Sequence, residues 1–363
     1  MYEEILHETA LQEATLYETL DKEAVRCTAC KLRCVIKNGQ AGVCGVRENK
    51  EGKLYLLVYG RASAVNIDPI EKKPLFHFLP GTEVFSVGTV GCNFGCTFCQ
   101  NWDLSQVART IRERLMKEKR SAFIEFEVGR YGYKLSPEEI VKICVGKQIP
   151  SIAYTYNEPV IFFEYLHDTA LLAAQYNIRN VFVSNGYESE EALDAMGLHL
   201  HAMNIDLKAF RDEFYTKQCK ARLQPVLDTI LDVHRRGIWL EVTTLVIPGL
   251  NDSDEELKDI AAFLASIDED IPWHISAFHP AYKMTDTPPT SRATLERAYD
   301  IGRSAGLHYV YVGNIRDWRR SATYCPKCQK PLILREAYQT SIEPAFQDGC
   351  CTNCKTKIPG IWE

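Results

Sequence analysis

The sequence predicts an α/β protein whose parallel sheet curves into an incomplete, TIM-like (β/α)6 barrel, and three observations carry that expectation. Short apolar runs recur after residue 82: Val84 to Val90, Ile152 to Tyr156, Val181 to Ser184, Met203 to Leu207, Leu240 to Ile247, His274 to Phe278 and Tyr309 to Val312. Between them lie stretches with helix-start chemistry, Ser136-Pro137-Glu138-Glu139 and Ser253-Asp254-Glu255-Glu256, where a hydroxyl and a glutamate satisfy the first free amides. Strand and helix in alternation require right-handed crossovers and a parallel sheet. The third observation is polarity: Asn204, Asp206 and Lys208 share one strand face while Met203, Ile205 and Leu207 share the other. Glu241 with Thr243, and His274 with Ser276, repeat the pattern. A doubly wound sheet covers both faces with helices, so polar inner faces predict a hollow that takes a polar ligand.

Composition narrows the setting. The 363 residues carry 42 Lys plus Arg against 48 Asp plus Glu, and the net negative charge argues against a general nucleic-acid binder. No uncharged apolar stretch reaches the roughly 18 residues of a membrane span. The start, Met1-Tyr2-Glu3-Glu4, is acidic where a secretory signal is basic and then apolar. A cytoplasmic setting is therefore expected, where thiols stay reduced and clustered cysteines bind metal. Residues 1-23 read as an amphipathic helical lead-in within an N-terminal domain of residues 1-81. The proline-rich stretch Asp68 to Pro80 reads as a loop or boundary.

The fourteen cysteines fall into groups. Cys27, Cys30, Cys34 and Cys44 suit zinc or an auxiliary iron–sulfur cluster equally well. Cys325, Cys328, Cys351 and Cys354 form two C-x2-C pairs, the pattern of a zinc ribbon over residues 315-363, with Cys350 competing for the place of Cys351. Cys144 and Cys219 read as buried core thiols. Cys92, Cys96 and Cys99 directly follow the first predicted barrel strand, with no fourth cysteine or histidine nearby. Three thiolates suit a cluster ligated at three of its four irons, and the open iron is where a substrate can bind. Gly91 and Gly95 are expected to let the loop wrap closely around the inorganic core. Residues 107-135 insert a basic run, Arg109, Arg112, Arg114, Lys117, Lys119 and Arg120. It reads as a solvated helix face, or alternatively as a lid or a dock for an acidic partner.

The string Cys92-x3-Cys96-x-Phe98-Cys99 resembles the signature of radical S-adenosylmethionine (SAM) enzymes. Asn157-Glu158-Pro159 resembles the family's Gly-Gly-Glu region, with Tyr156 and Asn157 where glycines are usual. Ser184-Asn185-Gly186 and Asp206-Leu207-Lys208 resemble the SAM-contacting segments of pyruvate formate-lyase activating enzymes. Cys44-Gly45-Val46-Arg47, residues 73–81, Cys99-Gln100-Asn101-Trp102 and residues 309–314 are similar to the radical SAM member of the AmmeMemoRadiSam system. The resemblance implies a radical SAM barrel over residues 82-314 and a 4Fe-4S cluster on Cys92, Cys96 and Cys99. It implies SAM contacts from Phe98, Asn157, Glu158, Ser184, Asn185, Asp206 and Lys208. It further implies an electron donor such as flavodoxin or ferredoxin, and association with AMMECR-type and Memo-type proteins. The chemistry implied is reductive cleavage of SAM to methionine and a 5'-deoxyadenosyl radical that takes hydrogen from a substrate, as in glycyl-radical activation of a protein. Radical modification of RNA or a peptide, and a non-catalytic electron-transfer or scaffold role, stand as the rivals. His274 and His279 are candidates for substrate contact or for the core.

Overall fold

A computed structural model describes residues 11–363. Its centre is an eight-stranded open sheet. The strands, in spatial order, are Ala64–Pro69, Glu83–Gly88, Ser151–Tyr154, Arg179–Ser184, Ala202–Asp206, Trp239–Val246, Trp273–Ala277 and Val310–Gly313. The first runs antiparallel to the second and the rest are parallel. All seven apolar runs thus become parallel strands, one more than the six expected, and the sheet reaches back before residue 82. Helices Pro137–Lys147, Phe163–Ala174, Gln224–Arg235, Asp254–Ile267 and Arg292–Ser304 cross over between strands. The two predicted helix starts are capped as read: Ser136 and Ser253 accept from the amides of Glu139 and Glu256.

The helical lead-in is only partly testable, because residues 1–10 lie outside the described residues. From residue 11 onward the chain is extended instead. Gln12–Glu13 pairs with Lys53–Leu56, and Tyr17–Thr19 pairs with Val25–Cys27. Long-range strand partners outweigh the local helical periodicity there.

The N-terminal region sits over the C-terminal ends of the barrel strands. Arg47 and Glu164, both almost fully buried, form a two-pronged ion pair at 2.9 and 2.8 Å that fastens it to helix Phe163–Ala174. Removing either partner would strand a buried charge. The insertion leans on the same region. Helix Val107–Lys117 buries Ala108, Ile111 and Leu115, Arg112 donates to the Ala41 carbonyl at 2.8 Å, and Arg109 donates to the Asn93 carbonyl at 3.4 Å.

The opposite end of the barrel is closed. Residues 73–80 run beneath it, and fully buried Glu241 gathers four donors: the amides of Phe76 and His77, the Trp239 indole and His274, the last at 2.6 Å. His274 therefore belongs to the base rather than to the mouth. The C-terminal domain closes over this base. His77 donates Nδ1–H to the Pro359 carbonyl at 2.7 Å and accepts from the Tyr311 hydroxyl at 2.6 Å, because a carbonyl can only accept. Arg335, buried, donates to the Phe76 carbonyl and lies 4.1 Å from the Phe76 ring.

Candidate active site

The C-terminal strand ends and the three-cysteine loop line an open cleft of about 290 Å³. Its wall does not include His274 or His279 but contains every residue expected to hold the cluster or contact SAM: Cys92, Cys96, Cys99, Phe98, Asn157, Glu158, Ser184, Asn185, Asp206 and Lys208. They come from strands two to five of the sheet and the turns that follow, so the parallel topology alone delivers them to one rim.

Hydrogen bonds fix the parts to one another. Asn157 accepts from the Thr89 amide at 3.2 Å and donates to the Gly91 carbonyl at 2.9 Å, so it braces the loop. Tyr156 has φ of +71°, which lets a tyrosine stand in a glycine-like conformation. The residue is held there by hydrogen bonds from its hydroxyl to Asp68 and from Asn66 and by the Lys73 ammonium over its ring. Glu158 accepts from the Asn185 amide at 2.9 Å and from the Ser184 hydroxyl at 3.1 Å. Asn185 in turn donates to Asn93 on the three-cysteine loop at 2.7 Å. Lys208 pairs with Asp206 at 2.6 Å, and its ammonium lies 5.9 Å from the Phe98 ring. Burial opposes the charge on Lys208, yet Asp206 and the nearby Cys96 thiol outweigh it and hold its pKa well above the ordinary value.

Two residues escaped the sequence reading. Glu188, fully buried, stands beside Glu158, and neither of its oxygens has a protein partner. Burial, and then the neighbouring Glu188 carboxylate, push Glu158 well above the usual carboxylate range. A carboxyl lining the cleft with a second carboxyl buried behind it suits a cation brought to the cleft. The signal was an acid in the turn just past Ser184-Asn185-Gly186, but its approach to Glu158 needs the fold. Cys219, read as a thiol with no partner, is buried as expected but lies against Cys96, whose pKa it lowers. The Cys219 carbonyl accepts from the Gly95 amide at 2.8 Å. Cys144 is a plain core thiol.

The two loop glycines sit where neighbouring protein leaves no room for a side chain. A Cβ on Gly91 would meet the Cys44 carbonyl at 2.8 Å, and one on Gly95 would meet Arg109 and Lys220 at 3.1 Å. Both allow protein to pack closely against the loop.

At the C-terminus, Cys325, Cys328, Cys351 and Cys354 converge so that their sulfurs all lie within 4.8 Å of one another, and the group can hold a metal ion. Cys325 and Cys354 are 3.4 Å apart, Cys328 and Cys351 3.6 Å. Cys350 takes no place in this group.

An open three-thiol loop at the rim of a half-barrel, with two buried carboxyls behind it, fits an iron–sulfur enzyme that binds a zwitterionic cofactor. The unpartnered Asn93 amide nitrogen, Asn185 carbonyl oxygen and Glu188 carboxylate are the buried polar atoms such a group would satisfy. The chain belongs to the radical SAM superfamily, whose description matches residues 86–264. An uncharacterized protein of Methanocaldococcus jannaschii is 42% identical over 334 residues, covering 92% of this chain and 94% of its own. The 4-hydroxyphenylacetate decarboxylase activating enzyme of Clostridioides difficile is 23% identical over 178 residues, 45% of this chain and 55% of its own. Among solved structures, a domain of pyruvate-formate lyase-activating enzyme from Bacteroides vulgatus is 22% identical over 45% of this chain and 98% of its own, with a TM-score of 0.39. The protein is an enzyme of the radical SAM type, a class that works with SAM, an iron–sulfur cluster and an electron donor. No helix among the described residues is long and apolar enough to cross a membrane.

Proposed function

We propose that Cys92, Cys96 and Cys99 hold a 4Fe-4S cluster whose fourth iron is left to SAM, and that the enzyme activates a protein substrate by removing a hydrogen atom, as glycyl-radical activases do. The carrying observation is that three thiols of one loop share a single cleft with Glu158, Ser184, Asn185, Asp206 and Lys208. When bound, the cluster and SAM supply a 5'-deoxyadenosyl radical. The chain's own residues do the rest. Glu158, backed by Glu188, accepts from the ammonium group of SAM. Lys208 and Asp206 offer a cation and an acceptor to the carboxylate and ribose, while Ser184 and Asn185 set the angle of Glu158 and support the ribose. Phe98, packed 5.7 Å from Phe214, presents a buried aromatic face to the adenine. Asn157 keeps the loop in register.

The name of the Clostridioides relative supports activation of a protein. The resemblance to the AmmeMemoRadiSam system supports AMMECR-type and Memo-type partners and a flavodoxin- or ferredoxin-type donor in the cytoplasm. At the C-terminus zinc is the fitting ion, since tetrahedral Zn–thiolate bonds place sulfurs about 3.8 Å apart. The test is anaerobic reduction of the reconstituted protein with SAM. Formation of 5'-deoxyadenosine and methionine is expected, and a reconstituted protein that neither binds nor cleaves SAM would overturn the reading.

A further inference from the structure

We infer that Cys27, Cys30, Cys34 and Cys44 ligate a second four-iron cluster rather than a zinc ion. The four residues line a small apolar pocket, walled on the barrel side by Val160, Ile161 and Asn93. Cys27, Cys30 and Cys44 are buried. Yet no three of the four bring their sulfurs within 4.8 Å of one another, whereas the C-terminal four do.

This spread is decisive because the molecule carries its own standards. A zinc ion draws four sulfurs to about 3.8 Å, which the C-terminal group matches. A four-iron cluster puts an inorganic core between the thiolates and holds them wider. Cys92, Cys96 and Cys99, the loop that carries the family signature, also stay outside the 4.8 Å grouping. The N-terminal four therefore share the geometry of the central loop and not that of the tail. The largely apolar wall adds to this: it keeps water from a cluster, and its one lining cation, Arg47, is neutralised by Glu164.

The two sites adjoin. Asn93 lines both the cavity and, through its bond to Asn185, the cleft. The Cys44 carbonyl packs on Gly91, next to Cys92, where a Cβ would come to 2.8 Å. Cys30 also bridges to Glu188 as an isolated β-pair, which ties the cavity to the acid pair of the cleft.

The experiment uses the full chain, reconstituted anaerobically with iron and sulfide, with iron, sulfide and zinc counted and electron paramagnetic resonance recorded after dithionite. In the Cys92→Ala, Cys96→Ala, Cys99→Ala variant, about four irons and four sulfides per chain should remain, with the signal of a reduced 4Fe-4S cluster. Adding Cys30→Ser and Cys44→Ser to that variant should remove both. A triple variant that holds zinc at two sites and no sulfide overturns the inference. Should the five-fold variant not fold, Mössbauer spectra of the wild type decide. About one in eight of its cluster irons, the single iron that SAM ligates, should respond to SAM, and a response from about one in four, as a lone cluster would give, overturns the inference. Iron retained by the triple variant stands whether or not the wild type cleaves SAM, so this result and the enzymatic proposal fail separately.

Discussion

The central loop and the C-terminal hairpins both gather cysteines, and they do so to opposite ends. The tail brings four thiols from two tight turns to within 3.4 and 3.6 Å in pairs, which closes the coordination sphere with protein. The central loop offers three, outside the 4.8 Å grouping of the tail, on the wall of an open cleft. A closed sphere can only hold chain together; an incomplete one leaves a position for chemistry. Ligand count distinguishes the two in the sequence, and sulfur spread distinguishes them in space.

The comparison breaks most readily at the open site. Replacing Cys92, Cys96 and Cys99 together with alanine should abolish 5'-deoxyadenosine formation while the tail keeps its metal, as measured by product chromatography and metal analysis. Loss of both would mean the two groups are not independent. At the closed site the effect should fall on stability. Cys325→Ser with Cys354→Ser should release the ion and cost several kcal/mol, on the order of a structural metal's contribution to a small domain. Thermal unfolding and limited proteolysis of residues 315–363 would show it; an unchanged melting temperature would mean the tail folds without metal.

Below these lies a pH effect at the seam between tail and barrel. Burial pushes His77 down to about 4 from 6.5, and its neutral ring is needed to accept from Tyr311. The unfolded ring takes up a proton more readily. Stability is therefore full above about pH 6.5 and is lost as pH falls toward 4, by about 3 kcal/mol in all. His77→Asn should flatten that part of the stability–pH curve, and an identical curve would remove His77 from the account. The smallest effect should come from Cys350→Ala, within about 0.5 kcal/mol and with metal content unchanged; loss of the ion would move the ligand register by one.

Much of the working site was legible because strand alternation and loop order are local properties. Asn204, Asp206 and Lys208 alternate along a strand, and Cys92 to Cys99 sit in one turn, so residue type and spacing already aim them. What was not legible depends on contacts far apart in the chain. Glu188 matters through its neighbour Glu158, and Cys219 through Cys96. The residues before Tyr17 gave a helical pattern, but distant strand partners made them extended. Glu241 and His274 looked like part of a ligand-facing hollow. They are polar for another reason: residues 73–80 enter the barrel from below and bring amides that need acceptors.

That base closure bears on how the enzyme exchanges molecules. Pro74 floors the cleft and its carbonyl is tied to Asn204 at 2.7 Å, while Glu241 and the C-terminal domain seal the strands' other end. Among the described residues, the doorway of the cleft then lies at the C-terminal strand ends, opposite this base. A macromolecule resting across the doorway would lock small molecules inside, so their replacement must wait until it departs.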